Sequence, residues 1–210
     1  QRFDVKVDVP ASEPKEKGCP ITRLGWVLTL RSKGVVKCRM VACEVNDGSW
    51  SDAFACTPTS ASLRLLIMLA QQYDADILVG DVATAFLHAP IPENELAYVR
   101  PPPTDCEPGK VWRLKKSLYG LRKSPKHFQQ HFAEQMEIGG WRRLKSDPQV
   151  YFNEVLQTWI MAHVDDIFIV VPHGNVEYVK EILHELFGKI VPIKWGGELS
   201  GDWLCYLGKE

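Results

Sequence analysis

Hydrophobic and polar positions along this chain sort into a short series of elements. Residues 1–20 are polar and punctuated by Pro10, Pro14, Gly18 and Pro20, which predicts an entering arm or linker over residues 1–23. The runs WVLTL and VVKCRMV, separated by RSKG, predict a β-hairpin around a Gly-bearing turn. Residues 46–51 read as a loop. Thr59-Ser60 then caps ASLRLLIMLAQQY, in which Leu63, Leu66, Ile67 and Ala70 share one helical face. Further apolar residues surround that face, so the expectation is a helix buried nearly all round. DILVG is a short strand ending at Asp81, and AYV another short strand inside a loop. A second helix over residues 124–138 sets Phe128, Phe132 and Met136 four apart and stops at Gly139-Gly140. Residues 149–152 and 158–171 are strand material. A third helix is capped by Asn175, carries Val176, Val179, Leu183 and Leu186, and closes at Gly188. Strands and helices mixed in this order predict an α+β fold with helices covering one face of a sheet.

Composition narrows the class. The 210 residues are 45% hydrophobic and 24% charged, which excludes a disordered chain and allows a core without staples. No apolar run reaches the roughly 18–20 residues needed to span a bilayer. The six cysteines, at positions 19, 38, 43, 56, 106 and 205, form no CxxC pair, which points to a reducing compartment without structural zinc. The chain opens on Gln1 with no signal peptide and reads as a piece of a longer product. A net charge of −1 argues against a strongly basic nucleic-acid binder, but the charge is uneven. Residues 110–145 hold ten Lys and Arg against two acidic residues, a local +8, and leave −9 elsewhere. Such a block is either a solvated face or a surface that holds phosphodiesters through counterion release.

The candidate chemistry lies at two strand ends. In WIMAHVDDIFIVV, Asp165 and Asp166 interrupt a run that is otherwise almost wholly apolar. Asp-Asp can simply make a turn. Adjacent like charges beside buried strands nevertheless repel unless a cation neutralises them. In LVGDVATAF, Asp81 again stands where an apolar strand ends, a position that also suits a helix N-cap. Three such carboxylates are hard oxygen ligands suited to Mg²⁺ or Mn²⁺. His127 and His131, four apart in HFQQH, lack the glutamate of a zinc-protease motif and are set aside as a metal site.

The run H-V-D-D between apolar strands, preceded by D-V-A-T-A-F-L, resembles the reverse transcriptase of copia-type LTR retrotransposons. VVKCRMVA, TSASLRLLIMLAQQY, LAYVRPPP, WRLKKSLYGLRKSPKHF, SDPQVYF and CYLG resemble further family motifs in the same order, over roughly residues 24–210. The resemblance implies a fingers-and-palm polymerase over residues 24–210, with an antiparallel palm sheet and the thumb missing. It implies two Mg²⁺ or Mn²⁺ ions, with Asp81, Asp165 and Asp166 catalytic and Val82 offering a backbone carbonyl. Lys37 and Arg39, which alternate onto one face of a strand, would clamp the triphosphate. Thr84, Ala85, Phe86, Tyr119 and Gly120 would line the nucleotide site, Phe86 as a steric gate against the 2′-OH, Gly120 by allowing close backbone approach. Lys115, Lys116, Arg122, Lys123, Lys126 and His163 would face nucleic acid.

His163 stands where the family usually has Tyr, and the final segment carries extra residues before CYLG. The implied partners are an RNA or DNA template-primer, dNTP, and the thumb, ribonuclease H and integrase of a Pol polyprotein, with no membrane. The implied location is cytoplasmic, inside a virus-like particle where one forms. The rival reading is a catalytically inactive remnant kept as a nucleic-acid-binding or interaction module.

Overall fold

The computed structural model describes residues 4–30, 34–45, 53–187 and 193–195, the last three as backbone only. In chain order its elements are β1 (Lys6–Pro10), α1 (Glu13–Glu16), β2 (Ile21–Leu30), β3 (Val36–Cys43), α2 (Ser60–Gln72), β4 (Ala75–Val82) and β5 (Tyr98–Arg100). They continue with β6 (Lys110–Leu114), α3 (Ser124–Ile138), β7 (Arg142–Arg143), β8 (Val150–Asn153), β9 (Thr158–His163), β10 (Asp166–Pro172), α4 (Val176–Phe187) and β11 (Ile193–Trp195). These divide into two compact units, one built on residues 55–85 and 129–210, the other on residues 2–54 and 86–128.

The second unit holds a five-stranded sheet in the order β1-β6-β5-β2-β3. The predicted hairpin is β2–β3, whose register puts Arg39 opposite Val27 and Lys37 opposite Thr29. The expected arm is instead structural, because β1 pairs antiparallel with β6 from Lys6↔Leu114 to Pro10↔Lys110. Val9 is buried there with Tyr98 and Val111. Strand β5 joins β2 in parallel, the one parallel pair among the described strands.

The first unit holds a six-stranded antiparallel sheet in the order β11-β4-β10-β9-β8-β7. Pleating sends alternate residues to opposite faces. One face carries Val79, Phe168, Met161 and Val150 in a cross-strand row, and α2 packs on it through Leu66 and Ala70. The other face carries Leu78, Ile169, Ile160 and Tyr151. There the Phe132 ring of α3 meets Tyr151 at 5.5 Å, and Phe187 of α4 stacks on Phe132 at 4.9 Å. The expectation of helices on one face is therefore corrected. The central strands are apolar on both sides, IFIVV in β10 above all, and both sides need cover.

Two further expectations change. Helix α2 starts as predicted, with Thr59 Oγ1 accepting from the Ser62 N–H at 3.1 Å. It is not buried all round, however: Leu65 is 55% and Met68 65% exposed, because one apolar face suffices for the sheet. Helix α3 ends at Gly139-Gly140 as predicted, with Gly140 at φ 84. The Asn175 amide donates to the Leu156 carbonyl at 3.2 Å. Gly188, the loop at residues 46–51 and CYLG lie outside the described residues. Among the described residues, no helix is long and apolar enough to cross a membrane.

Candidate active site

Asp81 and Asp166 stand directly opposite each other in the β4–β10 ladder, and His163 stands opposite Asp166 on β9. The three share the face that carries Val79, Phe168 and Met161. Asp165 belongs to the two-residue turn between β9 and β10. Its carbonyl accepts the Val82 N–H at 2.8 Å, which locks the turn to the end of β4. Asp81 is thus a paired strand residue and not the cap of a helix; the chain after it forms a 3₁₀ turn over Ala85–His88. The other turn residue, Val164, sits at φ 57, a conformation costly for a β-branched side chain, of order 1–3 kcal/mol.

Carboxylate oxygens of Asp81, Asp165 and Asp166 lie within 4.8 Å of one another, and all three residues are half-buried. Among the described residues this is the one group of three His, Cys, Asp or Glu that could share a metal ion. Burial, then the charges of Asp165 and Asp81, push the Asp166 carboxyl above its ordinary value, and His163 opposes them more weakly. An all-oxygen donor set under mutual repulsion fits a hard divalent cation such as Mg²⁺ or Mn²⁺.

The other unit gathers a second set of the predicted residues. Phe86 meets Tyr119 at a centroid distance of 4.7 Å and Phe128 edge-on at 6.2 Å. The Arg39 guanidinium lies over the Tyr119 ring at 5.9 Å. Gly120 adopts φ 90, and a Cβ there would fall 2.0 Å from the Ala42 carbonyl oxygen. The adjacent Tyr119 carbonyl accepts the Ala42 N–H at 2.7 Å. The close approach that requires glycine is therefore to the chain's own β3. In the first unit, Thr84, also at positive φ (54), is exposed and donates to the Ala83 carbonyl, while Ala85 is buried.

The basic block is largely engaged within the protein. Lys110 pairs with Glu107, Arg113 with Glu13, Lys115 with Asp4 and Lys123 with Glu95. Lys116 donates to the His88 carbonyl at 2.8 Å, and burial lowers its pKa. Arg122 is anchored by its backbone N–H on Glu44 at 2.6 Å. Lys126 is half-buried on α3. Sequence reasoning missed Asp147, which is buried and accepts from the Thr59 N–H, the Ser62 hydroxyl and the Gln149 N–H. The SDP stretch was a signal for it, but Thr59 and Ser62, two of its three partners, lie 88 and 85 residues away.

The pattern of the reverse transcriptase (RNA-dependent DNA polymerase) family matches residues 8–195, so the chain belongs to that family. It is a reverse-transcriptase-like domain of the retrotransposon Pol type. Over 168 residues it is 30% identical to the Retrovirus-related Pol polyprotein from transposon TNT 1-94 of Nicotiana tabacum, covering 73% of this chain and 12% of that polyprotein. Over 113 residues it is 29% identical to a transposon Ty5-1 protein of Saccharomyces cerevisiae, covering 51% of this chain and 36% of that protein. The chain thus spans a minor part of the length of each relative.

Proposed function

We propose that this chain is the fingers and palm of an RNA-directed DNA polymerase that extends a primer 3′-OH with deoxynucleotides by two-metal-ion chemistry. The carboxylate cluster of Asp81, Asp165 and Asp166 carries the reading. These residues, with the Val82 carbonyl, would hold two Mg²⁺ or Mn²⁺ ions. When bound, such ions acidify the 3′-OH and neutralise the triphosphate. The 3′ oxygen forms the new bond to the α-phosphorus as the bond to pyrophosphate breaks, and the hydroxyl proton is released.

The chain's own residues supply positioning and charge. Arg39, with a fork matched to phosphate and a seat on the Tyr119 ring, clamps the triphosphate together with Lys37. Phe86, packed on Tyr119 and Phe128, is a rigid ring suited to exclude a 2′-OH, with Gly120 as a further nucleotide-site residue of the same unit. Thr84 and Ala85 of the other unit are further candidates for nucleotide binding. His163 beside Asp166 and the basic residues Lys115, Lys116, Arg122, Lys123 and Lys126 face template-primer. Most of those cations already have partners, so they support nucleic acid more weakly than the +8 block suggests. The unit of residues 2–54 and 86–128 corresponds to the fingers, the other unit to the palm. The tobacco relative is a Pol polyprotein, which supports further Pol domains as partners.

Primer extension on an RNA template with Mg²⁺ or Mn²⁺ tests the proposal. DNA product is expected, Asp165→Asn should abolish it, and Phe86→Ala should admit ribonucleotides. Extension no greater than that of Asp165→Asn would establish the inactive remnant instead.

A further inference from the structure

His127 is a buried titratable group that the polymerase reading leaves unused. Its Nδ1 lies 2.9 Å from the Oγ of Ser117, which is fully buried, and its Nε2 lies 3.2 Å from Glu95 Oε2. An ionised carboxylate only accepts hydrogen bonds, so Nε2 carries the ring proton and donates to Glu95. Nδ1 is then an acceptor, and the Ser117 hydroxyl donates to it. The other Glu95 oxygen takes the Lys123 ammonium at 3.1 Å, which holds the carboxylate in place. Burial lowers the pKa of His127 against the pull of Glu95, which keeps the imidazole neutral and the direction of the chain fixed.

This chain of bonds ends two residues before Tyr119. The Ser117 N–H donates to the Ala89 carbonyl at 2.9 Å, and the Ala89 N–H to the Phe86 carbonyl at 3.2 Å. The Ser124 hydroxyl, itself buried, donates to the Leu118 carbonyl at 2.7 Å. Phe128, next to His127, supplies the edge contact to Phe86. The segments bearing Phe86, Tyr119 and the first turns of α3 therefore converge on Ser117 and His127.

We propose that His127, acting through the Ser117 hydroxyl, is a positioning residue that sets the Tyr119 loop, and with it the Phe86 ring, for selection of the incoming deoxynucleotide. The role rests on the polymerase reading. The Glu95 bond orients the imidazole, and the Ser117 bond transmits that orientation to the loop.

Steady-state primer extension with the full chain separates the two bonds. His127→Ala should raise the KM for dNTP by about tenfold with kcat changed less than about twofold. His127→Asn keeps an acceptor at the Nδ1 position and should restore KM, whereas His127→Gln keeps only the donor toward Glu95 and should not. Rescue by Gln in place of Asn, or a fall in kcat at unchanged KM, would overturn the proposal. Amide hydrogen exchange supplies a readout independent of activity. Residues 117–121 should open in His127→Ala and in His127→Gln but not in His127→Asn, with the β9–β10 amides unchanged. If the wild-type chain extends no primer, the polymerase reading fails, and unchanged exchange at residues 117–121 in His127→Ala would sink the positioning role separately. Should His127→Ala unfold, Ser117→Ala removes only the hydroxyl and is read in the same way.

Discussion

Asp166→Asn should stabilise the metal-free protein while weakening its response to Mg²⁺. The substitution removes one of three carboxylates whose oxygens lie within 4.8 Å of one another. At that distance two unit charges repel by about 3.5 kcal/mol at an effective dielectric of about 20. Asp166 takes part in two of the three pairs. The residues are only half-buried, so water and salt screen much of this, and a net gain of about 1–2 kcal/mol is expected. For a chain of this size that raises Tm by about 2–8 °C. Burial and the neighbouring charges hold the Asp166 pKa above the ordinary 3.8. The folded state therefore binds a proton more readily than the unfolded one, and metal-free stability falls as pH rises from about 3.8 through the raised value. The Asn variant should lack that slope. Mg²⁺ acts in the opposite sense, because a ligand of the folded state alone adds about 2.7 kcal/mol at a hundredfold excess over Kd. Thermal melts at pH 7 and low ionic strength, in chelator and in Mg²⁺, read both effects. A lower Tm for Asp166→Asn in chelator, or equal Mg²⁺ shifts in the two proteins, would refute the reasoning.

Two further substitutions probe the scaffold. Burial tends to raise the Asp147 pKa, but bonds from Ser62, Thr59 and Gln149 outweigh it and hold the carboxyl below 3.8. Its contribution is present above the unfolded-state pKa and lost as pH falls through the lower folded value, so acid unfolding should begin earlier in Asp147→Ala. That variant should also lose about 2–3 kcal/mol at pH 7 in a denaturant titration, and an unchanged midpoint would contradict the bonding described. Gly120→Ala forces a Cβ to 2.0 Å from the Ala42 oxygen at φ 90, and a loss of about 2–4 kcal/mol is expected by the same titration, whereas a wild-type midpoint would show that the loop can part from β3.

What the sequence disclosed follows from which interactions are local. Helix α3 was legible to its ends because Phe128, Phe132 and Met136 repeat at helical spacing and two glycines follow. Asp165 and Asp166 stood out as candidates because they break the otherwise apolar run IMAHVDDIFIVV, although a turn alone also accounts for Asp-Asp there. Strands β1 and β6 were not, because KVDVP and KVWRL mix charge with apolar residues, and β1 gains strand character only by pairing with β6 far along the chain. The ion pairs of the basic block escaped for the same reason: Lys115 meets Asp4 and Arg113 meets Glu13 only after the sheet assembles. Leu65 and Met68 were misread because sequence shows apolar residues but not how many faces a helix must bury.

The apolar character of both faces of β10 has a consequence for how such elements decay. Slipping β10 by one residue against β4 exchanges Phe168 and Val170 for Ile167 and Ile169, so hydrophobic pattern alone discriminates weakly against the slip. The same slip would carry Asp166 to the face opposite Asp81. Register rests instead on the short Val164-Asp165 turn and its bond to the Val82 N–H. A single residue gained or lost in that turn would therefore part Asp166 from Asp81 while leaving both sheet faces apolar, so the carboxylate cluster can be lost without the fold.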